Sequence, residues 1–304
     1  MSSTAPPAHL VSAARWSLVT TWGARLAWLA VAVIGGRAIG DATAARSDPV
    51  QLVATIGAWA GWAVGALALA VPAVATLTAA RVIVPGALAV TVACAVFGAD
   101  AGSVFAIGVP AGLAAVLVCA AETGAAFVQA SAYGDERRLL LRPPLGYLAA
   151  SVASWLIWVT AFVAAPLCWA TAAWVPAIVA TAVAGAGLWL LPRRWHQLSR
   201  RWLVAVPAGL VVHDPVVLGD TLMLPSQQVA SVRLAELGAT EATDLTGPTP
   251  GVAVEIRLAA PATAVLAPRP GDTQRRTVVV RVLVVAPSRP GATLAEARHR
   301  GYAS

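Results

Sequence analysis

Two charged residues, Arg25 and Glu122, lie inside long apolar stretches of the chain. An unpaired charge deep in a membrane costs at least about 2.5–3.5 kcal/mol, which favours pairing or extension of the side chain towards the headgroups. The two positions predict an interhelical ion pair that fixes helix packing. A site that couples a proton or a substrate is a second interpretation, and separate extension of each side chain to the headgroups is a third.

A basic and aromatic segment, residues 193–202, follows the last apolar stretch directly. In a helix, Trp195, Leu198 and Trp202 share one face with arginines beside it, as in a segment that lies in the headgroup layer. Each arginine near an anionic surface contributes about 1 kcal/mol of attraction. The alternative interpretation is a set of stop-transfer charges with an aromatic belt. The candidate anionic-lipid contacts are Arg193, Arg194, Arg200, Arg201, Trp195 and Trp202.

The other reactive side chains form no catalytic pattern. All 21 basic residues are arginine, and the absence of lysine excludes a Walker A loop, a kinase lysine and a Schiff-base lysine. Three cysteines and four histidines are scattered, without CxxC, HExxH, GxSxG or GxGxxG spacing. The sequence therefore predicts no catalytic residue, no metal site and no cofactor.

The composition places much of the chain in a bilayer. Of 304 residues, 59% are hydrophobic and 12% charged, with a mean hydropathy of +0.75 and a net charge of +7, whereas soluble domains are about 25% charged. All twelve tryptophans lie at or before Trp202, where the long apolar runs also end. This boundary predicts a disordered tail (1–15), a transmembrane helical bundle (16–192), the basic juxtamembrane segment (193–202) and a soluble domain (203–304).

Six apolar stretches approach the roughly 20 residues that a helix needs to cross a membrane. The second is long enough to tilt, and the third is short. The connections DATAARSD, GADAG and YGDERRLLLRPP carry the turn residues and charges expected between spans. The predicted spans are Trp16–Gly40, Gln51–Ala79, Val82–Phe97, Ser103–Ala126, Gly146–Pro166 and Trp174–Leu191.

The arginines predict the orientation of these spans. With both termini in the cytoplasm, the outer side holds only Arg37 and Arg46, in agreement with the positive-inside rule. The chain is then a multi-pass protein of the plasma membrane. A cleaved signal peptide with Leu26–Gly36 as its apolar core is the alternative. The apolar residues before Arg25 favour a retained first span.

Three glycines in the second stretch, Gly57, Gly61 and Gly65, follow a GxxxGxxxG pattern. This spacing places them on one helix face, where neighbouring backbones approach closely. The pattern predicts helix packing within the chain, with homodimerisation as the alternative.

From Trp202 onward the hydrophobic pattern changes to short β-branched runs separated by turns, which is typical of a small barrel or sandwich. A final helix is predicted over Pro290–Arg300, because Thr293 can cap it and arginines fall in its last turn. The seven predicted strands are Trp202–Val206, Leu210–His213, Thr221–Leu224, Gln228–Leu234, Val252–Leu258, Thr263–Leu266 and Thr277–Val285.

Seven strands followed by one helix resemble a bacterial pleckstrin-homology-like (PH-like) domain. RWLVAVPAGLVVHD followed by DTLMLPSQQVASVRLA looks like the opening of these domains, and PGATLAEARHRG is similar to their closing helix. The resemblance covers about residues 200–301. With its arginine-only, alanine-rich composition as well, the chain as a whole resembles a high-GC bacterial, actinobacterial-type membrane protein. It implies a protein-interaction or self-association module and does not imply inositol-lipid binding. A plain β-sandwich is the alternative fold.

The leading functional interpretation is a non-enzymatic integral membrane protein, a scaffold or regulator. Its bundle would lie among membrane lipids, and its cytoplasmic PH-like domain would bind a protein partner or a second copy of the chain. A transporter of small solutes or lipids, or its accessory subunit, is the first alternative. A lipid-modifying enzyme is the second, with Glu122, Asp135 and Glu136 as acidic residues on the predicted cytoplasmic side. Nucleic-acid binding is not expected, because the β half has no stacking aromatics beyond Trp202 and Tyr302.

Overall fold

The computed structural model describes residues 8–236, 242–268 and 274–303. Their contacts divide the chain into two units. The helical unit contains Ser17–Ala126 and Ala150–Trp195. The β unit contains Phe127–Ala149 and His196–Ser304, together with the start of the first helix. Each unit is therefore assembled from segments that are separate in the sequence.

Eight helices precede Trp202 in the described part of the chain. Six helical segments are long and apolar enough to cross a membrane, which confirms the predicted number of spans. They are Arg15–Thr43, Asp48–Ala70, Val74–Val96, Ala101–Cys119, Leu145–Ala170 and Trp174–Ser199. The helices are α1 (Ala8–Thr43), α2 (Asp48–Ala70), α3 (Val74–Ile83), α4 (Gly86–Val96), α5 (Ala101–Cys119), α6 (Ala121–Gln129), α7 (Leu145–Ala170) and α8 (Trp174–Ser199).

Several predicted span boundaries are wrong, and prolines explain two of them. The second span ends at Ala70 and not at Ala79, because Pro72 follows and the Thr76 hydroxyl then accepts a bond from Ala73 N (3.0 Å) to start α3. The third span begins earlier than Val82 and consists of α3 and α4, which meet at Pro85.

The ends of other helices also differ from the prediction. The predicted fourth span is divided, because α5 ends at Cys119 and α6 begins at Ala121. The first helix begins at Ala8, so residues 8–15 are helical and not part of a disordered tail; residues 1–7 lie outside the described residues. The predicted juxtamembrane segment is mostly the end of α8, which extends to Ser199.

The helical unit has a core of small side chains and tryptophans. Ala24, Ala111 and Ala114 are fully buried. Trp28 and Trp62 donate reciprocally, each from Nε1 to the other's carbonyl oxygen, at 3.0 and 2.9 Å. Small residues allow close helix approach in a bilayer, where packing replaces the hydrophobic drive. Large exposed apolar side chains cover the outer surface, as expected for helices that face lipid.

The β unit consists of two four-stranded sheets and a final helix. The first sheet is antiparallel in the order β1-β2-β3-β4, and the second has the order β5-β7-β8-β6, with β6 parallel to β8. The elements are β1 (Arg137–Leu140), β2 (Trp202–Val206), β3 (Gly209–His213), β4 (Leu222–Pro225), β5 (Val229–Leu234), β6 (Thr243–Asp244), β7 (Val254–Leu266), β8 (Arg276–Val285) and α9 (Pro290–His299).

Strand β1 comes from the segment between α6 and α7, which the sequence predicted to be only a connection. It pairs antiparallel with β2 from Arg137 opposite Ala205 to Leu140 opposite Trp202. The apolar residues at its end explain this pairing, since Leu140 and the following Leu141 are 6% and 2% exposed and Leu141 packs in the core of the β unit. The β unit is therefore not restricted to residues 203–304, the range predicted for a soluble domain.

The remaining predicted strands agree with the structure apart from two. Val252–Leu258 and Thr263–Leu266 belong to one strand, β7, whose pairing with β8 shifts register between Arg257 and Ala262. The short strand β6 was not predicted. Helix α9 was predicted and ends at His299.

Candidate functional site

A buried ion pair organises the β unit at the start of β2. Arg201 donates from Nη2 to Oδ2 of Asp214 at 2.6 Å and from Nε to Oδ1 at 2.8 Å. The side chains are 1% and 0% exposed. Arg201 also donates to the carbonyl oxygens of Arg142 and Thr246. One guanidinium therefore connects the end of β1 with the loops after β3 and β6.

Asp214 in turn shapes the loop after β3. Its Oδ1 accepts bonds from the backbone N–H groups of Val216 (3.1 Å) and Val217 (3.3 Å), as in an Asx turn. The far end of the loop is fastened to β7, because Gly219 N donates to Val265 O at 2.8 Å and Ala267 N donates to Val217 O at 2.9 Å. The loop is thus held at both ends.

This loop and the end of β7 enclose a cleft of about 380 Å³. Its volume falls within the range of about 300–1,000 Å³ that is usual for small-molecule sites. Apolar and polar side chains both line it. The lining residues are His213, Asp214, Pro215, Leu218, Gly219, Asp220, Thr221, Ala267, Pro268 and Arg275.

His213 is the central polar side chain of the cleft. Its Nε2 lies 3.4 Å from Nη2 of Arg200, and its Nδ1 lies 3.0 Å from Oγ1 of Thr221. The ring stacks on Trp202, with centroids 5.2 Å apart, and the Arg138 guanidinium lies over the same indole at 5.2 Å. Burial, followed by the charge of Arg200, lowers the pKa of His213, which favours the neutral ring.

The neutral ring has a defined tautomer in this geometry. A guanidinium has no lone pair and only donates, so Nε2 of His213 accepts from Arg200. The proton is therefore on Nδ1, which donates to the Thr221 hydroxyl oxygen. The Thr221 O–H group remains available as a donor to a further acceptor.

A second ion pair lies at the edge of the cleft. Arg275 Nη1 is 3.4 Å from Oδ1 of Asp220, and both side chains are more than half exposed. Gly219 leaves room for the arginine stem, since a Cβ at this glycine would lie 3.3 Å from Cδ of Arg275. Exposed pairs of this kind stabilise weakly, so a competing anion separates them at little cost.

The predicted lipid-contact residues fall into four different environments. Arg201 is buried in the ion pair with Asp214, so its assignment to lipid is wrong. Trp195 is 8% exposed and packs on Trp158, with ring centroids 5.5 Å apart in the helical unit. Trp202 is half-buried under His213. Three predicted contacts remain exposed: Arg193, Arg194 and Arg200.

The structure gives Arg25 different partners from the predicted Glu122. Its Nε donates to Leu69 O at 2.9 Å and its Nη2 to Ala70 O at 3.4 Å, at the end of α2. A cation at a helix C-terminus compensates the carbonyl dipoles that the helix leaves open. Among the described residues, no ion pair joins Arg25 to Glu122, which lies in the first turn of α6.

The three glycines of the GxxxGxxxG pattern differ in how closely other residues pack against them. A Cβ at Gly65 would lie 2.5 Å from Cζ2 of Trp28, so this glycine is required by helix packing. A Cβ at Gly57 or Gly61 would have no atom within 4 Å, which places both on an open surface of α2.

At the interruption between α5 and α6, two backbone carbonyl groups accept hydrogen bonds from side chains of the same chain. Arg81 donates from Nε to Val118 O at 3.4 Å, and the Thr123 hydroxyl donates to Leu117 O at 2.7 Å. Transporter sites often use the free backbone groups of broken helices. These two carbonyl groups are instead bonded to the chain's own side chains.

Asp135 and Glu136, two of the acidic residues considered for lipid chemistry, bind arginines of the β unit. Arg300 donates from Nη2 to the carbonyl oxygen of Asp135 at 2.8 Å and to its Oδ1 at 3.3 Å. Arg138 donates from Nε to Oε1 of Glu136 at 2.5 Å, and this bond lowers the pKa of Glu136. Both carboxylates therefore have structural partners.

The cleft was not predicted from the sequence, although one signal for it was present. Asp214-Pro215 directly after a strand is typical of a turn in which the carboxylate bonds the following N–H groups. The partner of that carboxylate, Arg201, could not be distinguished by sequence from the other three arginines of the basic segment 193–202. The contact of Arg200 with His213 depends on the antiparallel pairing of β2 and β3, which brings Trp202 opposite His213.

In residues 8–236, 242–268 and 274–303, no group of three or more His, Cys, Asp or Glu side chains is placed to hold a metal ion. Comparison with protein-family models, curated proteins and solved structures finds no match to the chain.

Proposed function

We propose that this chain is a non-enzymatic integral membrane protein, a scaffold or regulator, whose β unit is an interaction module. The observation that carries the proposal is the discontinuous construction of the β unit. Strand β1 enters it between α6 and α7, and β2 follows α8 after two residues. A module attached to the spans at two places is well suited to hold a partner at the membrane surface.

The order of elements supports a PH-like β unit. Seven strands, β2–β8, are followed by α9, which is the order that the sequence resemblance implies. Helix α9 packs on the core of the unit through Ala297, which is 4% exposed. We propose a PH-like domain that has an additional strand, β1, from the inter-span segment.

The charge distribution supports a cytoplasmic position for this module. Arg137, Arg138 and Arg142 lie between two spans, and Arg200 follows the last one. Arginine-rich connections favour the cytoplasmic side. We propose a bacterial plasma-membrane protein with both termini in the cytoplasm, and a protein partner or a second copy bound by the β unit.

Transport is the second candidate, because α3/α4 and α5/α6 are interrupted helices. The bonds that Arg81 and Thr123 make at the α5/α6 interruption favour a structural role for it. A substrate-dependent flux in proteoliposomes would instead favour transport.

Photo-cross-linking in cells tests the interaction module. A benzophenone amino acid replaces Met223 on β4 or Val279 on β8, which are 53% and 70% exposed. We expect adducts with a protein, of defined mass, from one or both positions. The matched control is Trp189 on α8, which is 75% exposed in the helical unit and should cross-link to lipid.

Protein adducts from position 189 alone would overturn the proposal, because the helical unit would then make the contacts. The absence of any protein adduct at positions 223 and 279, with normal expression of both variants, would also overturn it. An adduct of twice the chain mass would identify the partner as a second copy.

A further inference from the structure

We propose that the cleft between the loop after β3 and the end of β7 binds a phosphate group that carries an apolar substituent. This inference rests on the proposed role of the β unit as a binding module and names the ligand chemistry. A phospholipid headgroup and a soluble phosphate ester share this chemistry.

The first support is the balance of charge. Asp214 accepts four bonds, two from Arg201 and two from backbone N–H groups, so the charge of that pair is internally cancelled. Asp220 balances Arg275. Arg200 is exposed and contacts neutral His213, and it forms no ion pair with a carboxylate of the described residues. Of these described side chains, Arg200 is thus the one whose charge no carboxylate cancels beside the cleft.

The second support is the arrangement of donors. The Thr221 hydroxyl oxygen accepts a hydrogen bond from Nδ1 of His213, so its O–H group can donate to a second group. No acceptor for this O–H group is present among the residues that the structure describes. Arg275 lines the same cleft and forms an exposed pair with Asp220. A phosphate has enough oxygen lone pairs to accept from a hydroxyl and from guanidinium groups at once.

The third support is the shape of the cleft. Pro215, Leu218, Ala267 and Pro268 form the apolar part of the lining, called the apolar wall. The wall is preformed, because Leu218 pairs with Leu266 and the backbone bonds of the loop hold it to β7. An apolar substituent on the phosphate would cover this wall, whereas inorganic phosphate would leave it exposed.

Binding is tested on the full-length protein in discs of phosphatidylcholine, by isothermal titration with phenyl phosphate and with inorganic phosphate. We expect phenyl phosphate to bind more tightly. Thr221→Val and Arg275→Gln should each weaken it about tenfold, the loss expected for one hydrogen bond to a charged group. Thr221→Ser keeps the hydroxyl and should restore binding. Arg281→Gln, an exposed arginine on β8 outside the lining, is the control of equal charge.

The source of the phosphate is tested with discs that also contain phosphatidylglycerol. If a lipid headgroup occupies the cleft, phenyl phosphate should bind more weakly in these discs, and Thr221→Val should abolish the difference. If the ligand is soluble, both discs should give the same affinity. No binding of phenyl phosphate in either disc, or equal losses from Arg275→Gln and Arg281→Gln, would overturn the proposal. Cross-linking from positions 223 and 279 would not be affected by that result, so the two proposals fail separately.

Discussion

Arg201 and Asp214 form a bidentate ion pair inside the β unit, with Nη2–Oδ2 and Nε–Oδ1 distances of 2.6 and 2.8 Å and almost no exposure of either side chain. The pair connects three separate parts of the chain, because Arg201 also bonds carbonyl groups of Arg142 and Thr246. Its geometry fixes the loop that forms one wall of the cleft.

Breaking this pair should destabilise the β unit strongly. Arg201→Met leaves the Asp214 carboxylate buried without its cation, which costs about 3–5 kcal/mol. Asp214→Leu leaves the guanidinium unpaired at a similar cost. The double variant Arg201→Met with Asp214→Leu should lose less than the sum, because it leaves no buried charge. Urea unfolding of the detergent-solubilised protein, followed by trypsin cleavage in the β unit, measures these losses. Single variants within 1 kcal/mol of wild type, on the order of an exposed pair, would contradict the expectation.

Strand β1 should be needed for the β unit to fold alone. A fragment of residues 200–304 exposes the edge of β2 and removes both the Arg142 carbonyl bonded by Arg201 and the buried Leu141. Such an edge favours aggregation. We expect the fragment to be poorly soluble, and fusion of residues 137–142 before residue 200 through a flexible linker to give dispersed amide NMR signals.

The control fusion for this experiment carries Leu139→Asp and Leu141→Asp. It has the same length but cannot fill the core, so it should behave like the fragment without β1. A soluble, well-dispersed fragment of residues 200–304 would show that β1 is dispensable.

The sequence predicts the features of this protein that depend on local composition. Long alanine- and leucine-rich runs predict six spans, and β-branched runs between glycine and proline turns predict most strands of the second unit. These patterns are local, and each span or strand carries its own signal. Helix α9 is also predicted from local signals, although Thr293 does not cap it: the helix begins at Pro290, and the Thr293 hydroxyl donates to Arg289 O at 3.2 Å inside the first turn.

The features that were missed depend on pairing between distant residues. Arg137–Leu140 begins with two charged residues and lies between two spans, so its sequence does not indicate a strand that pairs with β2. Arg25 was matched to Glu122 because both are charges in apolar runs, whereas the backbone carbonyls of α2 are its partners. Carbonyl acceptors carry no signature in the sequence, and although Asp214-Pro215 indicates a turn, no local pattern pairs Asp214 with Arg201.

Gly65 should be intolerant of a side chain, whereas Gly61 on the same helix should accept one. A Cβ at Gly65 meets the indole of Trp28, whose Nε1–H bond to Trp62 would be displaced. Gly61→Ala faces open space and gains helix propensity of about 0.5–1 kcal/mol. Thermal denaturation in detergent should show a lower midpoint for Gly65→Ala and an equal or higher midpoint for Gly61→Ala. Equal effects of the two substitutions would contradict the packing of Trp28 on α2.

His213 should titrate below the ordinary histidine value of about 6.5. Burial and the charge of Arg200 lower its pKa, a contribution from Arg138 acts in the same direction, and Asp214 opposes them. Because the folded-state pKa is lower than the unfolded one, protonation favours the unfolded chain. His213 therefore contributes stability that is fully present above the unfolded-state pKa of about 6.5 and is lost as the pH falls from there through the lower folded-state pKa.

With four histidines in the chain, ¹³C-labelled histidine NMR resolves this titration, and His213→Gln assigns the signal. Arg200→Gln should move the pKa of His213 upward, towards the ordinary value, because a neighbouring cation is removed. Arg281→Gln should leave it unchanged. An unaltered pKa in Arg200→Gln would mean that the contact between Nη2 and Nε2 does not persist in solution, and the tautomer that gives Thr221 its free proton would lose its physical basis.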